Sequence, residues 1–466
     1  MAEEQAIHQL GFCSLTKTKA TALPHFPDAY ILNETLRDQA HIAVLSVAER
    51  MRQPEQIYAS AQLAHKQSAR PQGWFAPGVS QGFAGVTLFY TYLDRCFPHE
   101  GWDRVAYQYM KLTAEGTRQV AVNKPALFFG TSGIAMALHL LHTTHPFYQQ
   151  VLIKLNHDLC LQTLQQVEGL YQKEHLTMHD YDIISGVSGI LLYLITLEEP
   201  DEEILQVIES ILAFLTWLAE PGQVLGKERW FLAPDVLPKD DILLYPQGNF
   251  NCGLAHGIPG PLAALSLTWL AGYRYASLRD AIAFASYWLV QHHLTDRWGI
   301  NWPNVVPLQQ AHQPQDWQSL QGSRTGWCYG APGVARSLWL AGLALNDDHL
   351  CKFSLEAMEA VLRHSSQERL IYSPTLCHGI AGLLQICVRF ACESKCANIA
   401  QHIPLLLSQI LELFSSDHLL GFRDEESPGV YVDQAGWLTG APGTAMAILA
   451  ATTTEVPRWD RLLALA

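Results

Sequence analysis

The chain has 466 residues, 49% of them apolar and 16% charged, with a formal net charge of −14. That balance describes a well-cored globular protein without disordered bulk and argues against a phosphate backbone as partner. The length exceeds the usual single-domain size unless the chain is a closed repeat architecture. Ten cysteines without regular spacing are too few for a disulfide framework, so a reducing, cytoplasmic setting is expected. Met1, Ala2, Glu3 and Glu4 lack the basic and apolar character of a signal peptide. The longest apolar run, 183–197, is broken by Ser185, Gly186, Ser188 and Gly189 and is too short to span a bilayer, so no transmembrane segment is expected.

Residues 1–32 show no clear period and read as an N-terminal arm; 33–466 read as one domain. Within that domain a Gly-x-x-Gly element followed by an apolar stretch occurs seven times, at Gly82/Gly85, Gly130/Gly133, Gly186/Gly189, Gly257/Gly260, Gly330/Gly333, Gly379/Gly382 and Gly440/Gly443. Runs such as Val334 to Trp339 are apolar nearly all round, as in helices buried on most sides. Between them lie amphipathic stretches at 34–51, 102–120, 147–165, 201–218, 278–293, 349–364 and 398–414. In the fourth, Ile204, Val207, Ile208, Ile211, Leu212 and Leu215 fall at helical spacing, with Asp201, Glu202, Glu203 and Glu209 off that face. The pattern predicts an all-α protein, an α/α toroid of seven inner and seven outer helices, closed so that no terminal caps are needed. The glycines would permit positive φ and close backbone approach where inner helices begin, with helix N-termini aimed at a common central cavity.

Three connections into inner helices are long. Residues 219–252, 294–323 and 415–436 mix aromatic and β-branched residues with Pro and Gly and read as short β-hairpin-like loops over one end of the ring. The first two are the expected peptide contacts, because long loops gathered on one face commonly carry recognition.

Polar residues beside the glycines of four repeats carry the chemistry. In chain order they are Asp182 before Gly186, His256 before Gly257, Arg324, Cys328 and Tyr329 before Gly330, and Cys377 and His378 before Gly379. Two thiols and an imidazole make a donor set suited to Zn²⁺, and three protein ligands leave a fourth position open, as in catalytic zinc sites. Buried, inert cysteines and a satisfied histidine would give the same letters, and Asp182 also suits a helix cap.

Three motifs, Leu254-Ala255-His256-Gly257, Trp327-Cys328-Tyr329-Gly330 and Cys377-His378-Gly379, resemble those of the lanthionine synthetase C-like family, the lanthipeptide cyclases, and the likeness runs through all seven repeats. The resemblance implies one zinc per chain held by Cys328, Cys377 and His378, with His256 as the acid/base. Asp182 would orient that histidine, and Arg324 and Tyr329 would stabilise an enolate. It implies a dehydrated precursor peptide with a leader segment as substrate, whose Cys thiols add to dehydroalanine or dehydrobutyrine to form thioether rings. A dehydratase and an exporter are the expected partners, with membrane association only through such a complex, and no nucleic acid is expected. Two readings remain beside it: a relative that adds glutathione to dehydroamino acids, and a catalytically silent peptide-binding scaffold. Zinc-dependent prenyl transfer shares only the architecture and the metal's role, and a toroidal glycoside hydrolase would need paired acids where only Asp182 stands out.

Overall fold

Each glycine pair stands at the start of a helix that is buried along most of its length. These inner helices are Phe83–Cys96, Thr131–Thr144, Val187–Leu194, Pro259–Leu270, Ala331–Leu345, Ile380–Ser394 and Ala441–Thr452. In the computed structural model, which describes residues 15–24, 30–71, 73–144, 148–220, 228–311, 320 and 322–466, each packs on the next, and Ala441–Thr452 packs back on Phe83–Cys96. The ring is closed, as the sequence predicted. Outside it run Glu34–Met51, Trp102–Gln119, Gln149–Leu170, Glu202–Leu218, Leu278–Gln291, Asp348–Arg363 and Ile403–Glu412. Local signals start several of these: Asn33 accepts from the Leu36 amide at 2.7 Å and Asp201 from the Ile204 amide at 2.9 Å.

The seventh outer helix departs from the expected 398–414. Ala397–Ala400 ends first and Ile403–Glu412 restarts with Pro404 in its first turn, where a missing N–H costs nothing. A further helix, Pro54–Gln67, stands between the first outer and first inner helices and was not expected.

Of the long connections, 294–323 contains a hairpin, Leu294–Asp296 against Gly299–Asn301, and 415–436 contains another, Asp424–Ser427 against Val430–Val432. The 219–252 connection is different: among its described residues it forms short helical turns, Pro234–Val236 and Lys239–Leu244, and its strand Asn249–Asn251 pairs with Val305–Pro307. Of the expected arm, 1–14 and 25–29 lie outside the described residues, and Thr16–Lys17 pairs antiparallel with Tyr273–Arg274. Among the described residues no helix is long and apolar enough to cross a membrane.

The glycines serve close approach. A Cβ on Gly382 would lie 2.1 Å from the Leu376 carbonyl oxygen and 3.0 Å from Cβ of Trp327 in the preceding repeat. Positive φ is needed only at Gly330 (φ +106°) among the leading glycines, where a Cβ would also strike the Arg324 carbonyl. With side chains excluded, the residues two before each leading glycine touch through their backbones. Ser80 donates to Phe128 O (3.3 Å), Phe128 to Ile184 O (3.2 Å), Ala255 to Cys328 O (3.3 Å), Cys328 to Cys377 O (3.1 Å) and Cys377 to Leu438 O (3.0 Å), while Ile183 donates to Ala255 O (3.3 Å). These six bonds link the loops in turn from the first repeat to the seventh.

The centre of the toroid is filled, where the sequence suggested a shared cavity. The 3₁₀ segment Arg458–Leu463 packs on the inner helix Val187–Leu194. Trp327 Nε1 donates to Leu463 O at 2.9 Å, Arg336 Nε to Leu465 O at 3.0 Å, and Trp459 packs edge-on against Trp437 and Tyr92. Asp460, fully buried, accepts from Arg389 at 2.6 and 2.8 Å and from Gln385 at 2.7 Å. Arg336 is likewise matched by two bonds of 2.7 Å to Glu393. Removing one partner of such a buried pair strands the other charge. Asp460→Ala should therefore cost roughly 3–5 kcal/mol, read as a lowered urea-unfolding midpoint; an unchanged midpoint would show that this plug does not hold the ring.

Candidate active site

This run of amide bonds sets Cys328 beside Cys377, because the two residues occupy equivalent positions in adjacent repeats and are joined backbone to backbone. The coupling of the two thiols favours a thiolate on Cys328, helped by the nearby charges of His378, Arg324 and His256 and opposed by burial, and it holds the proton on Cys377, whose pKa rises. Elsewhere burial alone pushes the Cys252 and Cys387 thiols up to about 12, the behaviour of inert core cysteines.

His378 is part-buried. Its Nε2 meets Asp424 Oδ1 at 2.9 Å, and the same oxygen accepts from Ser373 Oγ at 2.7 Å. Burial pulls the imidazole's pKa down, but Asp424 more than offsets it and the net shift is upward. Asp424 comes from the hairpin of the 415–436 connection and lies 3% exposed. A carboxylate behind one ring nitrogen is the arrangement that fixes a metal-binding histidine, since it leaves Nδ1 free as the ligand atom. Two thiols, one already favoured as thiolate, and an imidazole so oriented fit Zn²⁺ in donor type.

Across the mouth, Asp182 has no exposed side-chain surface. Its Oδ1 accepts the Ser185 and Gly186 amides at 2.7 and 2.8 Å, which fixes the turn leading into the inner helix without capping the helix's own amides. Its Oδ2 is met by His256 Nδ1 at 2.6 Å and by His179 Nδ1 at 3.2 Å. Burial raises the carboxyl pKa, but the two imidazoles and the amides outweigh it and Asp182 stays ionised, its pKa lowered. An ionised carboxylate only accepts, so both histidines present Nδ1–H to it and keep Nε2 for other work. The two rings sit edge to face, 5.6 Å apart at their centroids.

Among the described residues, the group of metal-type ligand atoms lying within 4.8 Å of one another is His179, Asp182 and His256, and not the two cysteines with His378. At 2.6 Å the His256–Asp182 contact is a charge-assisted hydrogen bond, closer than two ligands at about 2.0 Å around a tetrahedral ion would stand. His179 carries no sequence signal of its own: its side chain is half exposed, yet it shares the buried carboxylate.

Tyr329 is part-buried, and burial pushes its phenol up to about 12. Asn251 Nδ2 donates to its oxygen at 3.0 Å and Asn251 Oδ1 accepts from the Gly253 amide at 2.9 Å, which leaves the phenolic O–H free to donate. Arg324 is exposed at the rim, and its charge reaches Cys328, Cys377 and His378. All seven predicted site residues therefore gather at one end of the ring. The residues missed are Asp424, Asn251 and His179. Asn251 stands three residues before the Leu254-Ala255-His256-Gly257 motif, whereas Asp424 has no sequence signal beyond being acidic in a long connection.

The Asp182 bond raises the pKa of His179. Its contribution to stability is full below the ordinary histidine pKa of about 6.5 and is lost as pH rises through the raised value. In Asp182→Asn the His179 ring should titrate at lower pH than in wild type, followed by imidazole C2–H NMR with His179→Gln assigning the peak. An unmoved titration would remove the shared carboxylate as its cause.

A family model described as lanthionine synthetase C-like protein matches residues 73–464. The chain is 25% identical over 350 residues to the nisin biosynthesis protein NisC of Lactococcus lactis subsp. lactis, an alignment spanning 74% of this chain and 82% of that one. A solved structure titled nisin cyclase superposes with a TM-score of 0.71 at 22% identity, over 88% of this chain and 97% of the other, and so shares its fold.

Proposed function

Because the chain belongs to the lanthionine synthetase C-like family, we propose that it is a zinc-dependent lanthipeptide cyclase that closes thioether rings in a dehydrated precursor peptide. The observation that carries this reading is the facing of two prepared half-sites at one mouth: the Cys328–Cys377 thiol pair with the Asp424-backed His378, and the Asp182–His256 pair. The similarity to a nisin biosynthesis protein supports the substrate class. Cys328, Cys377 and His378 would hold the zinc, one per chain. When bound there, the ion supplies a fixed positive charge that lowers the pKa of a substrate thiol.

The remaining work falls to the chain's own side chains. His256, its Nδ1–H fixed on Asp182, offers Nε2 to take the thiol proton. The sulfur adds to the β-carbon of dehydroalanine or dehydrobutyrine, a C–S bond forms, and the π electrons move toward the carbonyl as an enolate. Tyr329 and Arg324 donate to that oxygen. His256 returns the proton to Cα, so atoms balance and the product is an isomer of the substrate. Asp182 holds the imidazole's tautomer and stabilises its charged form without itself taking a proton, the role of the carboxylate in hydrolase triads.

The test pairs metal analysis with a thiol assay on a dehydrated Cys-containing peptide. Wild type should carry one zinc and consume peptide thiol at unchanged mass. Cys377→Ala should lose both, and zinc-free wild type that still consumes thiol would reject the reading. His256→Asn should keep zinc and lose roughly 10²–10⁴-fold in rate; full activity would remove it from the mechanism. Asp424→Asn should weaken zinc affinity about 10–100-fold by chelator competition, and equal affinity would deny it the supporting role.

A further inference from the structure

Beside His179 a polar cleft of about 580 Å³ opens outward between the Gln149–Leu170 helix and the connection that holds Asn123 and Lys124. It adjoins the catalytic residues through His179 and Ser185, which line it and both bond Asp182. Its composition is unlike the aromatic loops first expected to contact peptide. Asn123, Gln165 and Gln166 line it, and no side-chain bond is found for any of the three among the described residues. Each amide offers two donors and an acceptor, the complement of the alternating N–H and C=O groups of an extended main chain. Main-chain recognition of this kind tolerates varied side chains, which suits a peptide presenting several reacting positions in turn.

The charges are also uneven. Lys173 is matched to Asp180 at 2.6 Å, and Asp180 is further closed by the Thr177 amide at 2.8 Å. No carboxylate is paired with Lys124 among the described residues, although the chain as a whole carries a net charge of −14. A cation left over at a cleft on an acidic protein selects its occupant by charge.

We propose that this cleft binds an extended segment of the substrate peptide next to the reacting residue, with side-chain amides reading its main chain and Lys124 pairing with an acidic side chain. The peptide then enters the site past His179, with the dehydroamino acid delivered to His256. This rests on the peptide-cyclase reading of the same mouth.

The experiment uses zinc-loaded protein and labelled synthetic peptides holding one cysteine, one dehydroalanine and a flanking Asp, or Lys in its place, with binding followed by fluorescence anisotropy. In Lys124→Glu, with zinc content as in wild type, the Asp peptide should bind about fivefold more weakly and the Lys peptide more tightly. Gln165→Ala combined with Gln166→Ala should weaken both peptides alike. Affinities that ignore the charge at position 124 overturn the proposal. Binding is read without turnover, so the two readings separate. A charge swap seen in protein that consumes no thiol supports the cleft and rejects the cyclase. Thiol consumption with affinity indifferent to position 124 does the reverse.

Discussion

The site depends on the run of backbone hydrogen bonds that joins the loops of successive repeats just before their leading glycines. Those loops can meet only because a side chain is missing on the following helix: at Gly382 a Cβ would strike both the Leu376 carbonyl and Trp327 of the neighbouring repeat. Once the loops touch, equivalent positions in successive repeats become neighbours. Cysteines placed there in the fifth and sixth repeats, far apart in the chain, are bound amide to carbonyl at 3.1 Å. A repeat architecture thus turns a period in sequence into proximity in space, and the chemistry needs only a few changed residues in each of four repeats.

The loop ring rests on a filled centre. Trp327, directly before Cys328, donates to the Leu463 carbonyl of the C-terminal segment, which is itself held by Arg336 and by the Arg389–Asp460–Gln385 cluster. Buried charges cost heavily unless matched, and here each is matched by more than one bond. The floor beneath the thiols is therefore specified by polar contacts that permit one register of the segment, and the apolar packing around them supplies the bulk of the burial.

Two buried carboxylates divide the work of orientation. Asp182 accepts four donors, two amides of its own helix start and two imidazoles, so it remains an acceptor and dictates which nitrogen each histidine keeps free. Asp424 performs the corresponding service for His378 from a hairpin laid over the ring. The first is local to its repeat, three and four residues from the amides that bond it. The second arrives from the connection leading into the next repeat, 46 residues beyond the histidine it orients.

What the sequence by itself determined is whatever repeats or lies within one turn of a motif. The glycine period specified the closed toroid, six of the seven outer stretches appear as continuous helices near their expected bounds, and Cys328, Cys377, His378, His256, Asp182, Arg324 and Tyr329 were each visible beside a glycine. Short-range signals of this kind survive folding because helix starts and apolar faces are set by nearest neighbours. The tertiary structure alone decided the rest. Asp424 behind His378, Asn251 behind Tyr329, His179 on a shared carboxylate and the plugged centre all depend on side chains meeting across loops of no fixed length, where no period ties one position to the other.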